Sequence, residues 1–524
     1  MALLRSVATV GSFTMASRLL GFTRDVLSAA IMGGGAVADA FFIAQLLPNL
    51  FRRLFAEGAF NAAFVPLFAR HLETEGRISA LAFAQQVLAV LLAVLFVFVN
   101  LVQVAMPWVI VVLAPGFSRD PAKHALVIEL TRITFPYLLF ISLVSLLGAV
   151  LNSLHRFAAA AGTPILFNLC IILSLLFATP HLPTPGHAMA WGLTVSGMVQ
   201  FVWLVFSCRR AGVSFHLPRP RLTPEVRRML ALMLPAALGA GVTQVNLLIN
   251  QVLASFLPSG SISSLYYADR LMDLPTGVIG VALGTAILPL LSRQVASGQE
   301  AAAQASQNRA LELGLLLTLP AAAAFLAMPH TLIALLFQHG AFGATQTAAT
   351  SAALSAYALG LPGFALIKVL APAFYARHDT RTPVRFAIVT MLANLAFNLT
   401  LIWHFKHVAL ALSLSLSTWV QAALLATTLH RRGHWRADAR LLARAPRSLA
   451  STALMAGGVV LAVQGLHPWL ATPGLVRYAA LAVVILTGAV LYALAVQLTG
   501  AARFGEVLQQ LRRRPAAGTL SEAG

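Results

Sequence analysis

The chain has 524 residues, of which 59% are hydrophobic and only 10% charged, yet its formal net charge is +20. A mean hydropathy of +0.83 is more apolar surface than a soluble protein of this size can hide in its cores, which excludes a water-soluble globular protein. The basic residues sit in short turns between apolar runs, which argues against a nucleic-acid-binding surface, and the two cysteines, Cys170 and Cys208, offer neither a disulfide framework nor a metal spacing.

Many stretches of roughly 18 or more nearly charge-free residues occur, long enough to cross about 30 Å of hydrocarbon as helices. Lipid offers backbone groups no outside partner, so such stretches must be helical; the alternation of an outer-membrane barrel is absent. In chain order, fourteen spans are expected at about 6–32, 37–68, 79–113, 124–154, 160–179, 187–208, 225–257, 262–294, 308–337, 346–376, 384–403, 408–430, 447–467 and 475–500. The opening MALLRSVATVGSF has the look of a signal peptide. However, Arg18, Arg24 and Asp25 follow without a convincing cleavage site, so it is read as the first span.

The turns carry an orientation signal. Twenty-five basic residues fall on one side, including the six between Arg209 and Arg228 and the six between Arg431 and Arg447; Arg119, Lys123, Lys406 and Arg477 fall on the other. The first side is therefore expected to be cytoplasmic, with both termini inside.

The sequence also repeats itself. Asp25-Val-Leu-Ser-Ala-Ala-Ile-Met-Gly-Gly34 matches Gln251-Val-Leu-Ala-Ser-Phe-Leu-Pro-Ser-Gly260, an offset of 226 residues. Phe41-Phe42 followed by Pro48 matches Tyr266-Tyr267 followed by Pro275, and Pro66-Leu-Phe-Ala-Arg70 matches Pro289-Leu-Leu-Ser-Arg293. Copies of six spans keep the same orientation, as in transporters whose halves rock around a central site. The expected fold class is therefore an all-α polytopic membrane protein of about fourteen transmembrane helices. An N-lobe (1–215) and a C-lobe (216–440) form a parallel pseudo-twofold repeat, and 441–524 adds two helices and a basic tail.

The copies differ in charge. Arg18, Arg24 and Asp25 align with Gln244, Asn250 and Gln251; Arg52, Arg53 and Glu57 align with Ile279, Gly280 and Gly284. An arginine at a helix centre costs roughly 2.5–3.5 kcal/mol on the insertion scale, so these residues are expected to face a water-filled cavity. Arg18 and Asp25 lie seven residues apart, nearly on one helical face. Asp39, Arg53 and Glu57 share a face of the second span, and Arg270 and Asp273 are i,i+3 neighbours able to pair. For Arg53–Glu57 and for Arg270–Asp273, internal ion pairing and a role toward the cavity both stand open. For Arg18, Arg24 and Arg52 the nearby acids are too few, and the planar guanidinium fork suits a phosphate or pyrophosphate. Glu129 and Arg132 are expected near a span end, where a long side chain can snorkel to the interface. No hydrolase or transferase constellation, metal motif or nucleotide-binding loop is present, so the chain reads as a transporter without a cofactor.

The runs SRLLGFTRD, ADAFFIAQLLPNLFRRLFAEGAFNAAFVPLFAR, YYADRLMDLPTGVIGVALGTAILPLLS and KVLAPAFYARHDTRTPV resemble the MurJ (MviN) lipid II flippase family. That family belongs to the multidrug/oligosaccharidyl-lipid/polysaccharide exporter superfamily. The resemblance covers nearly the whole chain. It implies a flippase that carries undecaprenyl-pyrophosphate-disaccharide-pentapeptide from the cytoplasmic to the periplasmic leaflet of the bacterial inner membrane by alternating access. It places functional arginines on Arg18, Arg24, Arg52 and Arg270 and an aspartate on Asp39, and Asp25, Asn49, Arg53 and Glu57 fit the motif. The partners implied are lipid II, membrane lipids and cell-wall synthesis proteins, with no nucleic acid. Two departures from the family pattern are Leu46, where a lysine is allowed, and Asp273, where a glutamate is. A drug/cation antiporter of the superfamily, a non-transporting scaffold and an intramembrane glycosyltransferase remain as alternatives. The antiporter should favour acidic or aromatic cavity residues, the scaffold has no need of buried arginines, and the transferase lacks a catalytic carboxylate.

Overall fold

The computed structural model describes residues 2–53, 60–214, 216–284 and 286–502. Every long element among them is a helix, as backbone surrounded by lipid requires. In chain order these are α1 (Ala2–Met32), α2 (Ala36–Phe51), α3 (Phe60–Thr74), α4 (Gly76–Leu113), α5 (Pro121–Thr134), α6 (Tyr137–Ser153), α7 (Phe157–Leu173), α8 (Pro185–Arg210), α9 (Pro224–Ser255) and α10 (Ser261–Gly284). They continue as α11 (Ile287–Ala296), α12 (Glu300–Ala327), α13 (Pro329–Phe337), α14 (Ala344–Ala358), α15 (Leu361–Tyr375), α16 (Arg381–Phe405), α17 (His407–Arg431), α18 (Ala439–Gly465), α19 (His467–Ala471) and α20 (Leu475–Thr499).

Each expected span falls on one of these helices or on two consecutive ones. Among the described residues, ten helical stretches are by themselves long and apolar enough to cross a membrane. The segments at about 6–32, 37–68, 225–257 and 262–294 fall outside that ten. They hold Arg18, Arg24, Asp25, Arg52, Arg53, Arg270 and Asp273, or the polar series Thr243, Gln244, Asn246, Asn250 and Gln251. Several expected single spans are helix pairs instead. α5 passes to α6 at Phe135–Pro136, α12 to α13 at Met328–Pro329, and α14 to α15 at Leu359–Gly360 with Pro362 just inside α15. Proline has no N–H for the i−4 carbonyl and crowds the preceding turn, so the ladder resets there.

The long helices are lipid-facing on one side. On α4, Val94, Val97, Leu101, Val104, Trp108 and Val112 are all exposed at three- and four-residue spacing. In water this stripe would be an aggregation surface; in a bilayer it is the face that meets acyl chains.

The chain forms two compact units. The first comprises Met1–Tyr267, Leu336–Thr350 and Ile402–Leu410. Its core interleaves α3, α4, α6 and α8 around Phe60, Phe64, Phe68, Phe83, Leu147 and Leu204. The second comprises Ala268–Leu335, Ser351–Leu401 and Ala411–Gly524. There Leu291, Leu311, Val369, Phe374, Leu425 and Leu429 join α11, α12, α15 and α17, and Met455, Val459, Leu481 and Val484 pack α18 on α20. Near the middle of α12, Glu312 accepts from Arg309, Arg440 at 3.2 Å and Arg444 at 2.5 Å, fastening α18 to α12.

Candidate functional site

Two polar centres of the first unit involve the residues singled out in the sequence. The first lies on α1. Arg24 donates through Nε and Nη2 to Oδ1 of the adjacent Asp25, at 3.1 and 2.7 Å, and through Nη1 to Oδ1 of Asn168 on α7, at 3.1 Å. Its guanidinium also lies 5.5 Å from the Phe167 ring centre. Asn168 in turn donates to the Ser17 carbonyl at 3.0 Å, so α7 clasps α1 on both sides of Gly21. Asp25 is buried, and the Tyr266 hydroxyl reaches its Oδ1 at 3.5 Å. The expectation that acids are too few to engage Arg24 is thus corrected. An extended arginine can fold back onto its neighbour, which helical-face geometry at the Cβ level does not anticipate. Arg18, two turns earlier, is exposed.

The second centre is built on Asp39 near the start of α2, 1% exposed. Its Oδ2 accepts from the Gly260 amide at 2.7 Å and its Oδ1 from the Ser263 amide at 2.9 Å. Those N–H groups open α10, where the first turn has no intrahelical acceptor, so Asp39 caps a helix more than 200 residues away. Lys123 Nζ completes the site, 3.1 Å from Asp39 Oδ2 and 3.1 Å from the Ser259 hydroxyl, with the Phe117 ring 4.0 Å away. The sequence places Lys123 in the turn before the fourth span. In the structure it is 6% exposed, its ammonium held by Asp39 and Ser259, while Asp120 caps α5 by accepting from the Ala122 and Lys123 amides.

Around Asp39 the backbones meet with little between them. Ala341 N–H donates to Ala30 C=O at 2.8 Å, Gln346 Nε2 to Gly34 C=O at 3.0 Å, and the Tyr267 hydroxyl to Gly33 C=O at 3.3 Å. Gly340 has φ +55°, and a Cβ there would stand 2.3 Å from the Ala30 oxygen, so only glycine fits. Phe42 stacks on Tyr266 with ring centres 3.8 Å apart and meets Tyr267 edge-on at 5.6 Å. These are the aromatic pairs that the sequence repeat matches to each other.

The remaining residues are placed as follows. On α2, Asn49 is half-buried beside Pro48, Arg52 just past the helix end is half-buried, and Arg53 is exposed. Glu57 lies outside the described residues. In the second unit Arg270 pairs with Asp273 at 2.9 Å, the i,i+3 contact anticipated from the sequence. Among the described residues no group of three or more His, Cys, Asp or Glu could hold a metal ion. The sequence reading missed Lys123, Asn168 and Ser263, and it marked Gly260 by its place opposite Gly34 in the repeat. Lys123 carried one signal: it is one of three lysines among 36 basic residues.

Residues 28–480 match the family model described as lipid II flippase MurJ. The chain belongs to this family. A probable lipid II flippase MurJ of Rhizobium meliloti is 44% identical over 477 residues, 90% of this chain and 88% of that protein. A lipid II flippase MurJ of Burkholderia cenocepacia is 37% identical over 83% of this chain and 85% of its own length. Among solved structures, a lipid II flippase MurJ in an inward closed conformation superposes with a TM-score of 0.78 at 24% identity, covering 95% of this chain and 99% of that one. An inward-facing multidrug resistance MATE transporter of the MOP superfamily gives 0.67 at 14% identity, covering 81% and 98%. At these identities the structural likenesses carry the fold, and the MurJ family assignment rests on the sequence.

Proposed function

We propose that this chain flips lipid II, carrying its pyrophosphate-linked headgroup from the cytoplasmic to the periplasmic leaflet of the bacterial inner membrane by alternating access. One observation carries the reading. A member of the MurJ family holds Arg24 rigidly oriented by Asp25, Asn168 and Phe167 on a helix that also bears Arg18, inside a bundle built for a bilayer. A guanidinium already fixed by packing loses little freedom when a pyrophosphate oxygen takes over from the Asp25 carboxylate, and its fork matches two oxygens at once. In this reading Arg18, Arg24, Arg52 and Arg270 bind the pyrophosphate and nearby acidic groups, with Asp25, Asn49, Arg53 and Glu57 setting their charge and orientation. Asp39 belongs to the closure of the periplasmic end, which opens when its carboxylate leaves the α10 amides and Lys123.

The lobes 1–215 and 216–440 rock against each other in this account, the 441–524 segment flanks them, and both termini are cytoplasmic. The partners are lipid II, the surrounding lipids and cell-wall synthesis proteins; no cofactor or catalytic residue is involved. The MATE-like fold favours a second reading, a cation antiporter, but arginines on α1 repel a cationic substrate. Expression in cells depleted of their own flippase separates the two: restored growth and restored periplasmic lipid II support the first, and drug export without rescue supports the second.

A further inference from the structure

The first unit holds a cavity of about 660 Å³ that neither polar centre uses, between α4, α5 and α8 beside the 179–184 turn. Its size is in the roughly 300–1,000 Å³ range of small-ligand sites. Three polar side chains line it. His187, in the first turn of α8, is 4% exposed and held through Nδ1 by the Thr184 hydroxyl at 2.8 Å. Its Nε2 makes no hydrogen bond among the described residues, although Glu129 Oε1 stands 3.2 Å away. Glu129 itself is 60% exposed. Arg132, one turn further along α5, is exposed and has no ion pair among the described residues. Gln103 on α4 fixes this level of α5 by donating to the Arg132 carbonyl at 2.8 Å.

The surroundings are of the opposite character. A second cavity of about 520 Å³ adjoins the first and shares Leu182 and Trp191 with it; its other walls include Leu173 and Phe177. Trp108, Phe177 and Trp191 are exposed nearby, the ring pattern of a membrane–water boundary. Glu129 and Arg132 stand roughly 12–17 Å along the axis from Pro121, at 1.5 Å per residue. α4 and the α5–α6 stretch, at 38 and 33 residues, exceed the roughly 20 residues that cross hydrocarbon. A carboxylate and a guanidinium on a lipid-facing surface are costly without a polar partner. A charged cavity opening into an apolar one fits a ligand with a charged head and an apolar tail.

We propose that this pair of cavities binds one zwitterionic aminophospholipid of the surrounding leaflet. Its ammonium sits on Glu129, its phosphate on Arg132 and His187 Nε2, and its acyl chain runs along Phe177 and Trp191. The charge pattern selects the headgroup. An anionic lipid such as phosphatidylglycerol satisfies Arg132 with its phosphate but leaves Glu129 without a cation, and a quaternary ammonium has no N–H to donate to that carboxylate.

The test is native mass spectrometry of the purified full-length protein, titrated with phosphatidylethanolamine, phosphatidylglycerol or phosphatidylcholine. The wild type should retain phosphatidylethanolamine about tenfold more strongly than either competitor, the size of one charge-assisted hydrogen bond. Glu129→Gln should erase that preference without weakening phosphatidylglycerol binding, and Arg132→Gln should weaken all three. Both side chains are exposed, and unchanged thermal midpoints would show that the variants fold. Equal retention of the three lipids by the wild type, or a Glu129→Gln profile equal to wild type, overturns the proposal. So does displacement by free O-phosphoethanolamine at matched concentration, which would make the ligand a soluble headgroup. The measurement reads lipid retention alone, so its failure leaves the transport reading untouched.

Discussion

At Asp39 a buried carboxylate meets a buried ammonium and two helix-opening amides, and each partner makes the others tolerable. Removing one charge strands the other in a poorly solvated site, so Asp39→Asn should lower unfolding stability by about 3 kcal/mol. Adding Lys123→Met to it should recover part of that loss, because the stranded ammonium is gone. Chemical denaturation of the two variants in detergent checks this; a double variant less stable than Asp39→Asn would contradict the pairing. At Arg24 a lysine keeps the charge but loses the fork on Asp25 and Asn168. Arg24→Lys should therefore reduce flipping at least about tenfold while inserting normally, as read by lipid II accumulation in the inner leaflet. The sequence made the arginines of the site legible because charge within an apolar run stands out. The partners were not legible: Lys123 and Asn168 lie 84 and 144 residues from what they hold, and only packing brings them there.

The elements themselves were easier to read, since apolar length and the absence of water leave a helix as the one solution. Their breaks at Phe135–Pro136 and Met328–Pro329 were written in prolines but treated as continuous, because a membrane span tolerates a proline without ending. Two elements lend themselves to tests. The turn between α13 and α14 presses Gly340 on the Ala30 carbonyl, so Gly340→Ala forces the two backbones apart and adds left-handed strain of about 1–3 kcal/mol. A cysteine at the buried Ser263 should then label with maleimide several-fold faster than in the Gly340 parent; equal rates would mean the seal does not depend on that contact. The turn before α16 is held by Asp379, which accepts from the Thr382 amide at 2.9 Å, the Thr382 hydroxyl at 2.6 Å and Arg432 at 2.7 Å. Burial alone would raise its carboxyl, but these partners hold it well below the usual carboxylate range. A depressed folded-state value stabilises above the unfolded value near 4 and is lost as pH falls through the folded one. Asp379→Asn should therefore cost up to about 1 kcal/mol at neutral pH through the lost pair with Arg432, and the gap from wild type should narrow only below about pH 4. A gap that stays constant to pH 2 would contradict that role.

For the molecule as a whole, the repeat in the sequence has a physical counterpart within the first unit. Phe42 meets Tyr267, its repeat mate, edge-on at 5.6 Å, and α2 and α10 begin side by side with Asp39 on the α10 amides. Repeat-related residues touch in this way where two copies approach a common axis. In the proposed reading, the asymmetry of charge between the copies, visible in the sequence as arginine against glutamine and asparagine, turns this fold toward an anionic lipid-linked cargo. The most direct test of that claim is leaflet-resolved measurement of lipid II in flippase-depleted cells that express either this chain or its Arg18→Ala/Arg24→Ala/Arg52→Ala variant at equal membrane levels. The account predicts that the wild type restores periplasmic lipid II and growth, while the triple variant leaves lipid II in the cytoplasmic leaflet. Wild-type flipping by the triple variant would contradict it.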